Sequence, residues 1–229
     1  MRIAMVLTSH SELGDTGEKT GFWLEEFVAP YYAFVDAGAE VVIAAPGTGE
    51  PPIDPRSEGS ENQTEATERF QQDAAARAKL ANPIAIEQVQ VEGTDALFFP
   101  GGHGPMWDLA NSDAAAQLVE AFYQHGKVIG AVCHGPAALI KANTDGGESI
   151  LKGKKLTAFT NAEEQAVQLD QVVPFKLETR LKELGGDFHQ AEPFKSHVVT
   201  DGNLVTGQNP PSSAATAHGV VKLLNQVPA

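Results

Sequence analysis

The chain has very little cysteine and no cluster of basic residues. Cys133 is the only cysteine among 229 residues, so an internal disulfide is impossible and a cytoplasmic location is the expectation. The 16 lysines and arginines are outnumbered by 30 aspartates and glutamates, which gives a net charge of −14. This negative charge, without any basic run, argues against binding to nucleic acid or to an anionic membrane surface.

Long apolar stretches and metal-binding patterns are also missing. No apolar run approaches the length of about 20 residues that a membrane-spanning helix needs. The seven histidines are scattered, and neither an H-E-x-x-H pattern nor a cysteine pair occurs. Residues 14–20 resemble a phosphate loop, but Glu18 stands where that pattern requires glycine. The sequence therefore predicts a protein that uses no metal, nucleotide or other cofactor.

Short apolar runs alternate with helical patterns along the chain. Continuous apolar runs bounded by glycine, proline or aspartate are typical of strands buried on both faces. The alternation predicts one doubly wound α/β domain, with a mostly parallel sheet and helices on both faces. The predicted strands are 3–8, 40–45, 96–100, 127–132, 156–159 and 203–206, and the predicted helices are 21–38, 113–125, 136–143, 175–185 and 211–225.

Residues 47–79 depart from this pattern. The segment begins with a polar stretch that contains Pro51, Pro52 and Pro55, and an Ala/Gln/Glu-rich helical pattern starts at about Thr64. Large apolar residues are too few here for a separate core. We therefore predict a single domain over residues 1–229 with an insertion over its core, which could act as a lid.

Cys133 lies where an apolar strand should turn sharply into a helix, between the small residues Ala131 and Gly135. This is the layout of a nucleophile elbow, in which small residues allow the backbone to turn tightly. A thiol at the start of a helix favours the thiolate form, and His134 follows at once as a candidate base. The alternatives are a buried, inert cysteine and a histidine that plays no part in chemistry.

A glycine-rich segment should lie at the same edge of the sheet. Gly101, Gly102 and His103 follow the strand predicted at 96–100. Because ligands of such sheets bind at the carboxyl ends of the strands, we place these residues near Cys133. The backbone N–H groups of Gly102 and His134 could stabilise an oxyanion, although a glycine pair is also common in any tight turn.

Two carboxyl groups complete the candidate site. Glu164 could accept a hydrogen bond from His134 and fix its tautomer, or could simply occupy the first turn of a helix. Glu26 lies among aromatic residues on a predicted helix. A neutral carboxyl group beside Cys133 could serve as a general acid or base. The alternative is a solvated pair on the outer face, where we place Glu25.

Taken together, these motifs resemble the ThiJ/PfpI superfamily, also called class I glutamine amidotransferase-like. The matching strings are K-T-G at 19–21, P-G-G-H-G at 100–104, A-V-C-H-G-P at 131–136, F-T-N-A-E-E at 159–164 and T-G-Q-N-P at 206–210. The resemblance implies a flavodoxin-like three-layer sandwich and a homodimer. It also implies that Cys133 is the nucleophile, His134 the base, Glu164 the acid of the triad and Glu26 the carboxyl group that touches the cysteine.

The most similar branch contains small heat-shock chaperones and glutathione-independent glyoxalase III proteins. The resemblance therefore implies a cofactor-free dehydratase whose substrate is a small 2-oxoaldehyde, methylglyoxal, and whose product is D-lactate. Two alternatives stay open: a cysteine hydrolase that acts on peptides, amides, esters or glycation adducts, and a holdase chaperone or oxidation sensor. Glutamine hydrolysis is not implied, because amidotransferases carry the catalytic histidine far from the cysteine and His134 is adjacent to Cys133.

Overall fold

A seven-stranded, mostly parallel sheet forms the centre of the protein, which a computed structural model describes over residues 1–47 and 49–226. The strands are β1 (Arg2–Val6), β2 (Glu40–Ala45), β3 (Ile84–Ala85), β4 (Ala96–Phe99), β5 (Val128–Val132), β6 (Lys155–Leu156), β7 (Asp187–Phe188), β8 (Val198–Asp201) and β9 (Leu204–Gly207). The central order is β3-β2-β1-β4-β5-β9-β8, with β8 antiparallel to β9, and β6 pairs with β7 in a separate sheet.

Helices cover both faces of the central sheet. They are α1 (Leu24–Asp36), α2 (Glu65–Gln72), α3 (Ala74–Ala81), α4 (Asp113–Gln124), α5 (Asn161–Ala166), α6 (Leu177–Glu183) and α7 (Ser213–Leu224). The predicted doubly wound arrangement is confirmed. Within residues 1–47 and 49–226, no helix is both long enough and apolar enough to cross a lipid bilayer.

Each face of the sheet carries its own apolar core, because successive side chains of a strand point to opposite faces. In β4, Leu97 and Phe99 pack with Phe122 of α4 on one face. On the other face, Phe98 packs edge-on against Phe34 of α1, with 5.3 Å between the ring centroids. Since both faces are buried, the strands appear in the sequence as continuous apolar runs.

The glycine in the middle of β5 lets α7 approach the sheet. A Cβ atom on Gly130 would lie 2.7 Å from a ring carbon of Phe98 and 2.7 Å from Cγ2 of Val220 in α7. Glycine normally weakens a strand, and here it provides the space that the helix occupies. The register Phe98↔Gly130↔Val205 places this gap at the centre of the sheet.

Two predicted elements are wrong in detail. The helix predicted at 136–143 is a short 3₁₀ segment, Gly135–Leu139, whose tight turns follow directly from the elbow. The strand predicted at 156–159 is limited to Lys155–Leu156 and lies outside the central sheet. Thr157 leaves the strand pairing because its N–H donates to the side-chain hydroxyl of Thr206. The short or edge strands β3, β7 and β8 are additional to the prediction.

The segment at 47–79 is tied to the loop that precedes α1. Phe22 donates its N–H to the carbonyl of Pro52, and Asp54 donates its N–H to the carbonyl of Phe22. The two backbones are so close that a Cβ atom on Gly21 would lie 1.9 Å from the Pro52 oxygen. The helical pattern from about Thr64 corresponds to α2 and α3, which begin at capping side chains of Thr64 and Asp73. This docking holds the segment beside the carboxyl ends of the central strands.

Candidate active site

The turn after β5 holds Cys133 in a left-handed backbone conformation, with φ +58°. Such a conformation is rare outside glycine and costs on the order of 1–3 kcal/mol, so the surroundings must enforce it. They do so from both sides: Cys133 donates its N–H to Gly207, and its carbonyl accepts the N–H of Phe159. A Cβ atom on Gly135 would lie 2.1 Å from the Phe99 oxygen, so only glycine fits there. The predicted nucleophile elbow is confirmed.

Cys133, His134 and Glu164 are brought into contact. Sγ of Cys133 lies 3.3 Å from Nδ1 of His134, and Nε2 of the same ring lies 2.7 Å from Oε2 of Glu164. Because the carboxylate can only accept, Nε2 carries the proton in the neutral ring and Nδ1 keeps its lone pair. That lone pair faces the thiol. His134 is therefore oriented to take the thiol proton, while Glu164 fixes its tautomer.

The second histidine, His103, binds the other oxygen of the same carboxylate. Its Nε2 lies 2.7 Å from Oε1 of Glu164, and its ring centroid lies 4.1 Å from that of His134. Burial opposes ionisation of Glu164, but the two imidazoles outweigh it and hold the pKa of this carboxyl well below its usual range. Burial and the neighbouring His134 lower the pKa of His103 to about 4, so His103 is neutral at pH 7. The sequence predicted His103 as a substrate-binding residue; in the structure its ring contacts the carboxylate of Glu164.

Arg56 connects the 47–79 segment to this cluster. Its Nε donates to Oδ1 of Asp54 at 2.9 Å, and Asp54, whose side chain is fully buried, also accepts the hydroxyl of Thr20 at 2.8 Å. Nη2 of Arg56 lies 3.4 Å from Nδ1 of His103. This contact leaves the ring proton of His103 on Nε2, where it faces Glu164. Sequence reasoning missed Arg56, because the contact joins segments 47 residues apart.

Glu26 is fully buried in the first turn of α1, next to the thiol. Gly101 donates its N–H to Oε2 at 2.8 Å, and Oε1 is a buried oxygen without a hydrogen-bond partner among the described residues. Burial raises the pKa of Glu26 to about 8, although the nearby Cys133 thiol and the Gly101 N–H oppose the shift. Glu26 is therefore protonated at neutral pH and able to donate a hydrogen bond.

The thiolate character of Cys133 stays a prediction, and two features of the structure oppose it in the resting protein. Burial raises the pKa of the Cys133 thiol well above its usual value, and the charge of an ionised Glu26 would raise it further. The thiol is only 3% exposed, and a five-residue 3₁₀ segment follows it instead of an α-helix. The expected helix dipole is therefore weak. These features favour ionisation of the thiol that is coupled to proton transfer to His134, whose Nδ1 lies 3.3 Å from Sγ.

The buried proton on Glu26 has a consequence for stability. Between about pH 4.5 and pH 8 the folded protein holds a proton that the unfolded chain has released, so the free energy of unfolding should fall as the pH rises through this window. Glu26→Gln should remove a large part of this fall. We expect the loss of stability between pH 5 and pH 8, measured by urea unfolding, to be smaller in Glu26→Gln by a few kcal/mol.

The control for this prediction is Glu25→Gln. Burial raises the pKa of Glu25 as well, but its side chain is partly exposed and accepts the hydroxyl of Thr64 at 2.6 Å. Its effect on the pH dependence should be smaller. Equal pH dependence in Glu26→Gln and the parent protein would contradict a protonated Glu26. The position of Glu25 also corrects the prediction that it is solvated on the outer face.

Gly101 and Gly102 allow the backbone to pass close to the thiol and to Glu26. A Cβ atom on Gly101 would lie 2.4 Å from Oε2 of Glu26, and one on Gly102, where φ is +85°, would lie 2.4 Å from the Gly21 oxygen. The N–H of Gly102 approaches both Glu26 and Cys133. The N–H of His134 donates to no acceptor within the part of the chain that is described. Both N–H groups are thus positioned near the thiol.

A cavity of about 590 Å³ opens beside the thiol. Its floor includes Cys133, His134, His103, Glu26 and Gly102. The 47–79 segment supplies several polar lining residues, and the rest of the lining includes aromatic and aliphatic side chains. The remaining lining residues are Trp23, Glu25, Arg56, Glu61, Asn62, Gln63, Thr64, Phe159, Val167, Phe194, Pro210, Pro211 and Ala214.

His103, His134 and Glu164 also form a group whose ligand atoms lie within 4.8 Å of one another, which is a possible metal site. In the observed arrangement both Nε2 atoms donate protons to the carboxylate at 2.7 Å. A metal ligand needs a free nitrogen lone pair, so the protonation that these contacts imply does not fit a bound ion. The prediction that no metal is used stays a prediction.

Glu163, the neighbour of Glu164, is a buried carboxylate that sequence reasoning missed. Glu163 is fully buried, and Oε2 accepts both the N–H and the hydroxyl of Thr160, which forms a capping box at the start of α5. Its Oε1 accepts the N–H of Phe194 at 2.8 Å and the side-chain amide of Asn209 at 2.8 Å. The sequence contains a signal for this contact, because threonine followed three residues later by glutamate is a capping-box signature. Glu163 thus joins α5 to Phe194, which lines the cavity, and to Asn209, which precedes the lining residue Pro210.

The chain is similar to proteins of the glyoxalase III group over nearly its whole length. It is 30% identical over 239 residues to the probable glutathione-independent glyoxalase hsp3103 of Schizosaccharomyces pombe, covering 91% of this chain and 92% of that protein. It is 29% identical to the glutathione-independent glyoxalase HSP31 of Saccharomyces cerevisiae, with 94% of each chain covered.

The chain is also similar to solved structures over nearly its whole length. The Rapid Encystment Protein 24 KDa of Francisella tularensis matches with a TM-score of 0.93 and 38% identity, over 97% of this chain and 98% of that one. Glyoxalase III of Candida albicans matches with a TM-score of 0.90 and 29% identity, over 97% and 96%. The model of the DJ-1/PfpI family matches residues 19–223. The resemblance drawn from the motifs is thereby confirmed, and the chain belongs to the DJ-1/PfpI family.

Proposed function

We propose that this protein is a glutathione-independent glyoxalase that converts methylglyoxal to D-lactate. The observation that carries the proposal is the position of Cys133, whose Sγ lies 3.3 Å from Nδ1 of His134 and lines an open cavity. The relatives that are named glutathione-independent glyoxalases cover more than nine-tenths of the chain and support the same activity. Catalysis would use Cys133, His134, Glu164 and Glu26.

The first step forms a bond between sulfur and the aldehyde carbon. The thiol of Cys133 gives its proton to Nδ1 of His134 as Sγ attacks, so a free thiolate is not needed beforehand. The electron pair of the carbonyl moves to its oxygen and produces a hemithioacetal oxyanion. The N–H groups of Gly102 and His134 would stabilise this oxygen. Glu164 would stabilise the imidazolium that forms on His134.

The second step moves hydrogen within the substrate. A proton leaves the carbon that bears sulfur, and the neighbouring ketone carbon gains one through an enediol, which leaves a lactate thioester. Glu26, protonated at neutral pH, and His134 are the groups beside Cys133 that can exchange protons. Water then attacks the thioester carbonyl, the carbon–sulfur bond breaks and the thiol regains its proton. Overall one methylglyoxal and one water give one lactate, with the aldehyde oxidised and the ketone reduced.

The test is an assay of the full chain with methylglyoxal and no glutathione. We expect methylglyoxal loss matched by formation of D-lactate, measured with a dehydrogenase specific for that enantiomer. Absence of lactate, or a requirement for glutathione, would refute the proposal. Accumulation of an acyl-enzyme on Cys133 with a test ester, without lactate formation, would favour the cysteine hydrolase instead.

We also infer a homodimer, as the family resemblance implies, and a lid role for residues 47–79. The second inference is supported by five residues of this segment that line the cavity: Arg56, Glu61, Asn62, Gln63 and Thr64. Analytical ultracentrifugation of the full chain tests the first. A monomer at micromolar concentration would overturn it.

A further inference from the structure

The cavity continues well beyond the reacting atoms, along an aromatic wall. The ring of His134 lies 4.6 Å from that of Phe159, measured between centroids, and the ring of Phe159 lies 6.2 Å from that of Phe194. These rings lead away from Cys133 to the exposed Phe194, and Trp23 and Val167 also line the cavity. Methylglyoxal carries only a methyl group beside its carbonyls and would leave this wall uncovered. Cavities of about 300–1,000 Å³ commonly enclose much larger ligands.

Two apolar side chains of this wall are exposed. Phe194 is 43% exposed and Val167 is 39% exposed, and they are two of the four large apolar residues so exposed in the described chain. The other two are Met1 and Tyr123, which do not line this cavity. Exposed apolar groups that gather at a cavity indicate a binding surface for an apolar group.

The backbone at this wall is also strained. The non-glycine residues with positive φ in the described chain are Cys133, Gln168 and Phe194. Cys133 and Phe194 line the cavity, and Gln168 follows Val167, which does. Phe194 is held at φ +58° while its N–H donates to the buried Glu163 at 2.8 Å. Strain that a buried carboxylate maintains is typical of functional positions, and here it keeps an aromatic ring at the cavity mouth.

We propose that this cavity selects 2-oxoaldehydes that carry an aryl or branched apolar substituent, which packs on Phe159, Phe194 and Val167. The inference rests on the proposed glyoxalase function and names its substrate class. The aldehyde carbon bonds to Sγ of Cys133 as for methylglyoxal, and the substituent extends toward the mouth. The product is the corresponding 2-hydroxy acid, formed with one water and without an external oxidant.

The test compares phenylglyoxal with methylglyoxal in Phe194→Asn. Asparagine tolerates a left-handed backbone and keeps the N–H that Glu163 accepts, so the wall loses its ring and not its conformation. We expect kcat/KM for phenylglyoxal to fall about tenfold, which corresponds to about 1.4 kcal/mol, and kcat/KM for methylglyoxal to stay within about twofold. Initial rates are used, because phenylglyoxal also modifies arginines. Phe194→Tyr, which keeps the ring, should retain the parent ratio of the two values.

Tyr123→Ala is the matched control, because this exposed aromatic lies on α4, outside the cavity lining. It should leave both substrates unchanged. An unchanged ratio in Phe194→Asn, or an equal loss with both substrates, would overturn the proposed substrate class while leaving the glyoxalase function intact. A parent protein that consumes methylglyoxal but not phenylglyoxal would overturn it too. Failure of the parent protein with both substrates would refute the function and the substrate class together.

Discussion

Cys133→Ser is expected to lower kcat/KM for methylglyoxal by at least about 1,000-fold. Serine has nearly the same size, so the elbow and its bonds to Gly207 and Phe159 should persist. Its hydroxyl is a weaker nucleophile and a poorer leaving group than the thiol, and the covalent route through a hemithioacetal and a thioester is therefore lost. Steady-state kinetics measures the loss, and mass spectrometry should find a substrate adduct in the parent protein only.

Cys133→Ala separates chemistry from folding. Circular dichroism and thermal unfolding should show that both variants fold, since each replaces one small buried side chain by another. Alanine has no nucleophile at all, so its activity should be no higher than that of the serine variant. A Cys133→Ala protein with the parent rate would mean that the sulfur takes no part in the reaction, and the proposed mechanism would be abandoned.

Glu164→Gln is expected to reduce kcat by about 1,000-fold or more, because it changes the proton positions on His134. The carboxylate accepts from Nε2 of both His103 and His134 at 2.7 Å. The glutamine amide can accept a hydrogen bond only through its oxygen, so its NH₂ group would face Nε2 of one of the two rings. In that ring Nε2 would have to accept, and the ring proton would move to Nδ1. If that ring is His134, Nδ1–H faces the thiol and the base is lost. In protease triads the corresponding change lowers kcat about 10⁴-fold for this reason.

The matched control for Glu164→Gln is Glu178→Gln. Glu178 is also a buried carboxylate; it lies in the first turn of α6 and accepts the N–H of Asn161, the first residue of α5, at 2.7 Å, but it does not line the cavity. We expect its kcat to stay within about threefold of the parent value. Nitrogen-15 chemical shifts of the histidine rings should report the tautomer change in Glu164→Gln alone. Unaltered tautomers with a large loss of kcat would contradict the explanation and assign Glu164 another role.

The central fold could be predicted because its signals are local. The strands β1, β2, β4 and β5 are continuous apolar runs with turn residues at their ends, and both of their faces are buried as the pattern requires. The errors lie where tertiary contacts override local pattern. Residues 136–143 have a helical composition, but only a 3₁₀ segment forms there. It follows the tight turn at Cys133, and the backbone of Gly135 packs directly against the Phe99 carbonyl.

The candidate site could be predicted where the residues that meet in the structure are also neighbours in the sequence. Cys133 and His134 are adjacent, and each follows from the elbow. Glu164 was predicted at the correct edge of the sheet, but on the assumption that it follows a strand of the central sheet. Its segment instead reaches Cys133 through the hydrogen bond that the Phe159 N–H donates. Arg56 and the raised thiol pKa could not be predicted, since they depend on burial and on contacts between distant segments.

The two hydrogen bonds that attach residues 157–159 to the central sheet define a constraint on protein engineering. Thr157 donates its N–H to the hydroxyl of Thr206, and Phe159 donates its N–H to the carbonyl of Cys133, so the part of the chain that carries Glu164 is joined to β9 and to Cys133 at these points. A chimera that exchanges residues 155–188 between relatives would have to keep a hydroxyl residue at 206 and the backbone geometry at 159. Without both, the donor and recipient parts could each fold correctly and still not align the acid with the base.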